Sequence, residues 1–515
     1  MSGFLTMPLV WLFRVITGGT TGILLTFRYL YIIFHGLITV FAYKRLRTYG
    51  YVAAVGLSLY FLFTPYNIMA LSYNTMALDL LLLSGVLLAT SKKNWQFLLS
   101  GVCLAGAVLC CPYLVLVYVV YLICVLAHLL LKKTNINKSA LCTDMFSLKT
   151  FLWFTLGVSV LAAIFFVFII CTCGIDGIFT NLPLMLKDPE HPQIGFIAKL
   201  KGYKDAILLC HSRFKVSFYS YIATLIVMAV DRNRKNHRAF YLITSAFISL
   251  TTLFMFYQTL ISKSYNAIMF PFIFVGITSY ILCEKKPQKI FCSVFMTGLI
   301  YSLCVTLSSN QYFYMISVAC ALSNIASYIF LAQVLREMKE RPDEVSYGKW
   351  LYRGTALTAA FVITILAFMQ LEAKTKHCFW EGSPETLVSK MKTGPAKGIF
   401  TNENNAQTYE SISADLEYYK DIKKDDILML TERTWCYLKT DDMPYGTFSA
   451  WISGENETAL MRLQQFYAVN PDKVPEYIYI PKASKLDTAA LAHNAQSKGY
   501  TVVENEVSYK LSKIQ

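Results

Sequence analysis

Charge is scarce in this chain. Asp, Glu, Lys and Arg make up 15% of its 515 residues, against about 25% in a soluble globular protein. Acid is the scarcer sign: 47 Lys and Arg face 32 Asp and Glu, and no acidic residue occurs before Asp79. The basic excess does not point to nucleic acid, because it falls in short clusters between apolar runs. No CxxC pair or Cys/His cluster has zinc spacing, and neither GxGxxG nor a P-loop is present, which leaves nucleotide binding unsupported. Solenoid-like repeats and low-complexity tracts are also missing. Residues 1 to 19 lack the basic start and long apolar core of a cleavable signal peptide.

What the chain does have is apolar length. Hydrophobic residues make up 55% of it. Apolar segments fall at about 20–42, 51–66, 71–90, 96–111, 113–131, 150–172, 216–231, 238–257, 265–283, 290–308, 312–335 and 351–371. Runs near 20 residues without barrel-type alternation mean a polytopic α-helical membrane protein of about twelve spans. Most of the 14 cysteines lie inside these runs, where cysteine behaves as a small hydrophobe. The tail after them holds only Cys378 and Cys436, so one disulfide is allowed there and none is required.

Basic clusters set the orientation. Lys44/Arg45/Arg47, Lys92/Lys93, Lys132/Lys133/Lys138, Arg232/Arg234/Lys235/Arg238, Lys285/Lys286/Lys289 and Arg336/Lys339/Arg341 occupy every second connection. The positive-inside rule assigns all six to the cytoplasm. The N-terminus, the loop 173–215 and the tail from Glu372 to Gln515 then face outward. The tail is mixed in charge, and "KGIF" (397–400), "DILMLT" (426–431), "EYIYIP" (476–481) and "TVVE" (501–504) read as strands. Helical patterns at about 404–421, 455–468 and 484–497 alternate with them, which predicts a small extracytoplasmic α/β domain over 372–515. It carries an N-glycosylation sequon, Asn456-Glu457-Thr458.

Several residues stand out chemically. "LSYNTMALDLLLLSGVLLA" (71–89) is a membrane helix but for Asp79, and an ionised carboxylate at the bilayer centre costs about 3 kcal/mol on insertion scales. Ser72, Thr75 and Asp79 share a helical face, with Asp79 roughly 10 Å below the outer end. The stripe is either one wall of an outward-opening cavity or a buried carboxylate satisfied by neighbouring hydroxyls. Arg28, in the first segment, either pairs with a carboxylate or holds a phosphate. The outer loop 173–215 carries "DPEHP", with His191, and a basic stretch that includes Arg213. That stretch is either an anion site or a solvated amphipathic helix. Lys263 and Tyr265 sit at another outer helix end, "SKSYNAIMFP". No metal-ligand set is convincing.

Four stretches carry a resemblance. "PLVWLFRVITGGTTGILLTFRYLY", "YNTMALDLLLL", "KSYNAIMFPFIFV" and the outward α/β tail together resemble the GT-C class of polyprenyl-phosphate-sugar-dependent glycosyltransferases. The branch is that of protein O-mannosyltransferases and aminoarabinose transferases. The resemblance spans most of the chain, on loose motifs. It implies an outer-face reaction in which a lipid-phosphate-linked sugar is donor, a carboxylate deprotonates the acceptor hydroxyl, and Lys263, Arg213 and Arg28 hold the leaving phosphate. Asp79 would be the cavity carboxylate, and Ser72, Thr75, His191 and Tyr265 would line the substrate site. In some relatives a divalent cation shares the phosphate load; no other cofactor is implied. The class often has thirteen helices, an inner N-terminus and its catalytic aspartate on the first external loop. None of these is matched before Asp79, so the resemblance implies a further helix and most of a loop upstream of Met1, and transfer that depends on them.

Two other classes fit less of the chain. A transporter or flippase accounts for twelve spans and intramembrane charge, but no two-half repeat is visible. A non-catalytic scaffold accounts for the unmatched first loop.

The orientation is testable by cysteine accessibility in intact cells. A single probe cysteine in the tail is expected to label and one at Lys235 is not; the reverse pattern overturns the topology.

Overall fold

Within hydrocarbon no water is at hand for backbone N–H and C=O groups, so apolar segments fold as helices that pair those groups internally. The computed structural model describes residues 2–133, 144–186, 195–260, 269–308, 320–340, 348–376, 382–420, 427–439 and 456–514. Among them, seven helices are long and apolar enough to cross a membrane: Ile23–Tyr49, Tyr73–Thr90, Pro112–Leu131, Leu148–Leu184, Arg238–Met255, Gln288–Val305 and Gly348–Lys376. Five shorter apolar helices accompany them, Gly3–Thr17, Tyr51–Leu62, Asn94–Cys110, Lys215–Val230 and Phe272–Leu282. The protein is a helical membrane protein with small sheets near its C-terminus.

Two units emerge from the packing. The first comprises Met1–Leu5, Tyr29–Ile164 and Phe196–Gly382. At its heart lies a helix we call α4, Tyr73–Thr90, preceded by α1 (Gly3–Thr17), α2 (Ile23–Leu46) and α3 (Tyr51–Leu62). Apolar residues surround α4 on all sides, and 14 of its 18 residues are buried, as expected of a helix hydrophobic all round. Its neighbour α5 (Asn94–Cys110) is clamped to it by a reciprocal pair. Ser84 Oγ donates to the Ser100 carbonyl at 2.9 Å, and Ser100 Oγ donates to the Ser84 carbonyl at 2.8 Å. Glycine lets α5 cross a long helix, α7 (Leu148–Leu186), at backbone distance. A Cβ on Gly101 would lie 1.9 Å from the Phe154 carbonyl oxygen, and one on Gly157 1.9 Å from that of Leu98. Small residues at helix crossings are the usual device where lipid supplies no hydrophobic drive.

One end of this unit gathers the basic connections. Arg238 reaches Glu284 at 2.8 Å and Glu337 at 3.6 Å. The buried Glu337 carboxylate also accepts the backbone N–H groups of Glu284 and Lys285, both at 2.9 Å. Lys289 pairs with Asp144 at 3.6 Å, and the Arg336 guanidinium lies beside Gly50. These contacts bring together the segments that carry Arg238, Lys285, Lys289 and Arg336.

The second unit comprises Thr6–Arg28, Phe165–Gly195 and Ser383–Gln515. The sequence placed only the tail here. The structure adds most of α1, which was not among the expected apolar segments, and the far part of α7. Glycines at positive φ, Gly18 and Gly22, turn the chain out of α1. Gly22 N–H then donates to the Gly394 carbonyl (3.0 Å), Leu24 N–H to that of Pro395 (3.2 Å) and Thr20 Oγ1 to that of Leu438 (2.6 Å). Helix α7 kinks at Gly174 (φ 70°, ψ 166°), and past the kink Asn181 exchanges amide hydrogen bonds with Asn470.

All four expected strands are found, within a residue or two for three of them. "KGIF" shrinks to β2 (Phe400–Thr401), paired with β1 (Ser389–Lys390). The main sheet runs β3-β4-β6-β5, from Ile427–Met429, Tyr477–Pro481, Ser508–Lys513 and Tyr500–Glu504. β3 and β4 are parallel, and β6 is antiparallel to both of its neighbours. Strand β6, "SYKLSK", was not expected, because its polar residues mask the alternation. Asp415, at the end of the helix Glu403–Asp415, anchors β6. Its carboxylate accepts from Ser508 Oγ, from Asn505 Nδ2 at 2.7 Å and from Lys510 Nζ at 2.5 Å. Burial raises its pKa, but the Lys510 ammonium and the two side-chain donors outweigh burial and hold it below the ordinary value.

Overpacking a close crossing costs about 1–3 kcal/mol, and more where backbone must move. Gly157→Leu is therefore expected to lower the thermal midpoint of the detergent-purified protein sharply. Leu156→Ala, on the exposed side of the same turn, is expected to leave it nearly unchanged. Equal midpoints for the two variants would remove the crossing as a constraint.

Candidate functional site

Asp79 lies six residues into α4, and α4 starts cleanly because its cap is built in. Ser72 accepts the Thr75 backbone N–H at 3.3 Å, and Thr75 Oγ1 accepts the Ser72 N–H at 3.0 Å, a capping box. Thr75 Oγ1 also donates to the Ala70 carbonyl at 2.7 Å. The polar stripe at Ser72 and Thr75 thus serves the helix start, and its hydroxyls are engaged there.

Asp79 itself is 1% exposed, in the interior of the first unit. Three helices converge on its Oδ1 atom. His35 Nδ1, from α2, lies 2.7 Å away, and Tyr60 OH, from α3, donates at 2.6 Å. His35 Nε2 faces the Tyr60 carbonyl oxygen at 3.3 Å. A carbonyl only accepts, so Nε2 carries a hydrogen. The one remaining proton lies in the Nδ1–Oδ1 hydrogen bond. Written as imidazolium and carboxylate or as imidazole and carboxylic acid, the pair is neutral as a whole, which is how α4 carries an acid through an apolar bundle.

Aromatic rings pack around the imidazole. Tyr31 and Phe61 stack on it at centroid distances of 5.3 and 5.5 Å. Tyr31 OH shares a hydrogen bond with Thr64 Oγ1 at 3.1 Å, and Lys374 Nζ donates to the same Thr64 oxygen. Gln370, one turn earlier on the same helix as Lys374, donates to the Leu59 carbonyl at 2.6 Å. A polar chain therefore runs from Lys374 through Thr64 to Tyr31, and the stacking of the Tyr31 ring on His35 joins it to the His35–Asp79–Tyr60 hydrogen bonds. Among the described residues Asp79 Oδ2, like Gln370 Oε1, is buried and has no hydrogen-bond partner. Buried polar atoms are nearly always satisfied, so an orphaned carboxylate oxygen marks a place for a proton or a reacting group.

No protein-family model matches this chain, and no curated protein does. The site is therefore read from its own geometry.

Of the residues expected from sequence, the structure places Asp79, Ser72 and Thr75 on one helix start. Arg28 is exposed and belongs to the second unit, and the partner of Asp79 is His35 instead. Arg213 falls within the helix Phe196–Val230. His191, Lys263 and Tyr265 lie outside the described residues. Most described residues of the loop 173–215 are helical, in α7 or in Phe196–Val230. Among the described residues no cluster of three His, Cys, Asp or Glu has metal-site geometry. Farther along α4, Ser84, Gly85, Cys124, Cys292 and Met296 help enclose a separate cavity of about 110 Å³. It is apolar, and its wall does not include Asp79.

Sequence reading missed His35, Tyr60, Tyr31, Thr64 and Lys374. A signal for the first existed: His35 is a lone histidine inside an apolar run, as anomalous there as Asp79 in its own.

Removing one partner of a buried pair costs on the order of 3–5 kcal/mol, because the other is left uncompensated. Asp79→Leu and His35→Leu are each expected to lower the thermal midpoint strongly, and the double variant to fall less than the sum of the two. Additive losses would show that the pair is not energetically coupled.

Proposed function

We propose that this chain is a GT-C-like membrane glycosyltransferase. It moves a sugar from a polyprenyl phosphate to an acceptor hydroxyl at the outer face of the cell membrane. In this reading about twelve helices span the bilayer, and the α/β domain of the second unit is extracytoplasmic. The observation that carries the proposal is the state of Asp79: Oδ1 is fixed by His35 and Tyr60, and Oδ2 has no partner among the described residues.

That arrangement suits a general base. The acceptor oxygen attacks the anomeric carbon while the bond from that carbon to the phosphate oxygen breaks. The bonding pair leaves with the polyprenyl phosphate, and the acceptor proton passes to Asp79 Oδ2. His35 holds the carboxylate in orientation and stabilises its charge between turnovers. Because Asp79 is 1% exposed, the acceptor reaches it only when α2 and α3 part from α4 at their outer ends. The same closed, proton-sharing pair also suits a relay in a proton-coupled transporter, which is the second reading.

The test is an exchange in the chromosomal copy, so that the protein works in its own membrane. Asp79→Asn keeps the volume and removes the basic oxygen. Transfer from a radiolabelled polyprenyl-phosphate sugar to membrane acceptors is expected to fall by about 10²-fold or more, the range of a lost acid–base group. Undiminished transfer would refute the base assignment. Absent transfer in wild-type membranes, together with Asp79-dependent proton uptake into vesicles, would favour the transporter.

A further inference from the structure

Lys374 is the one described cation tied to the Asp79 cluster. It is half-buried near the end of the helix Gly348–Lys376, in the same unit as His35, Tyr60 and Asp79. Its position is fixed: Gln370, one turn before it, is hydrogen-bonded to the Leu59 carbonyl, and its own ammonium donates to Thr64 Oγ1. Thr64 is buried, and its oxygen is shared with Tyr31, whose ring stacks on His35. An ammonium has three donors, and among the described residues one of them is used, on a neutral hydroxyl. Two carboxylates of the same unit pair elsewhere, Asp79 with His35 and Glu372 with Lys376.

A half-buried ammonium without a carboxylate has lost hydration that one hydroxyl does not replace. An anion supplies what is missing. The polar chain places that anion next to the base, separated from the imidazole by Thr64 and the Tyr31 ring. We infer that Lys374 binds a phosphate at the outer end of the cluster, the phosphate of a lipid-linked donor and of the polyprenyl phosphate it leaves behind. This rests on the transferase reading and assigns its phosphate to a residue outside the three cations that the sequence suggested. Lysine suits the role as a point charge with rotatable donors, able to follow a phosphate as it separates from the sugar. Thr64 and Tyr31 keep the ammonium aimed, and so act as positioning residues.

The probe is farnesyl phosphate, with farnesol and inorganic phosphate as controls, titrated against the full chain in nanodiscs of neutral lipid. Wild type is expected to bind farnesyl phosphate more tightly than farnesol. Lys374→Met is expected to weaken farnesyl phosphate about tenfold or more, the worth of one charged hydrogen bond, with farnesol unchanged. Lys374→Arg, which keeps the charge, is expected to retain most of the binding. If Lys374→Met does not fold, Lys374→Gln replaces it, since the amide keeps a hydrogen-bond donor and lacks the charge. Competition by inorganic phosphate at equal concentration would support the phosphate site and overturn the lipid as its source. Equal binding of farnesyl phosphate by wild type and the uncharged variant would overturn the inference. It would leave the transferase reading standing, because that reading is decided by transfer in Asp79→Asn membranes. Failure of wild type to prefer farnesyl phosphate over farnesol would overturn the inference as well.

Discussion

The hydrogen bond between His35 and Asp79 is the constraint around which the first unit is arranged. A carboxylate cannot cross an apolar bundle alone, and an imidazolium fares no better. Together they hold a single shared proton and no net charge, so the desolvation that either would suffer falls away. The condition is geometric. The two side chains must come from different helices, meet at hydrogen-bond distance, and keep water out. Tyr60 adds a third helix to the same oxygen, so α2, α3 and α4 are fixed in register by one atom, Asp79 Oδ1.

What surrounds this point follows from holding those helices still. The reciprocal Ser84–Ser100 pair sets α4 on α5, and the Gly101–Gly157 crossing brings α7 onto α5 without side chains between. Gln370 and Lys374 fix the last helix of the unit to the end of α3. At the opposite end, Glu337 accepts the loop N–H groups of Glu284 and Lys285 while Arg238 balances its charge. Hydrogen bonds between helices are modest individually in a membrane protein. Several converging on the same few helices define one arrangement, and that is what a site needs to hold a base in orientation.

The second unit obeys different rules, since its core is a mixed four-stranded sheet flanked by helices. Within it, hydrogen bonds at Gly22, Leu24 and Thr20 and the paired amides of Asn181 and Asn470 hold its three stretches of chain together. These join the turn after α1, the kinked end of α7 and the α/β domain. The kink at Gly174 is affordable because glycine reaches positive φ without a Cβ clash.

Much of this was legible in the sequence, and the division is physical. Apolar length alone sets the helices, because hydrocarbon demands internal pairing of the backbone; each predicted apolar segment has a described helix on it. Short apolar runs set strands β3, β4 and β5, and β6 escaped because the polar residues of "SYKLSK" answer to Asp415 and the neighbouring strands. Asp79 was visible as a charge where none belongs. Its partner was not, since residues 35, 60 and 79 are brought together only by the packing of three helices. Ser72 and Thr75 looked like the approach to a cavity and are a helix cap, because a shared helical face gives direction and not contact. Lys374 drew no attention in the sequence. Only the fold puts it on Thr64, beside the ring that covers His35, and so gives that cation a role.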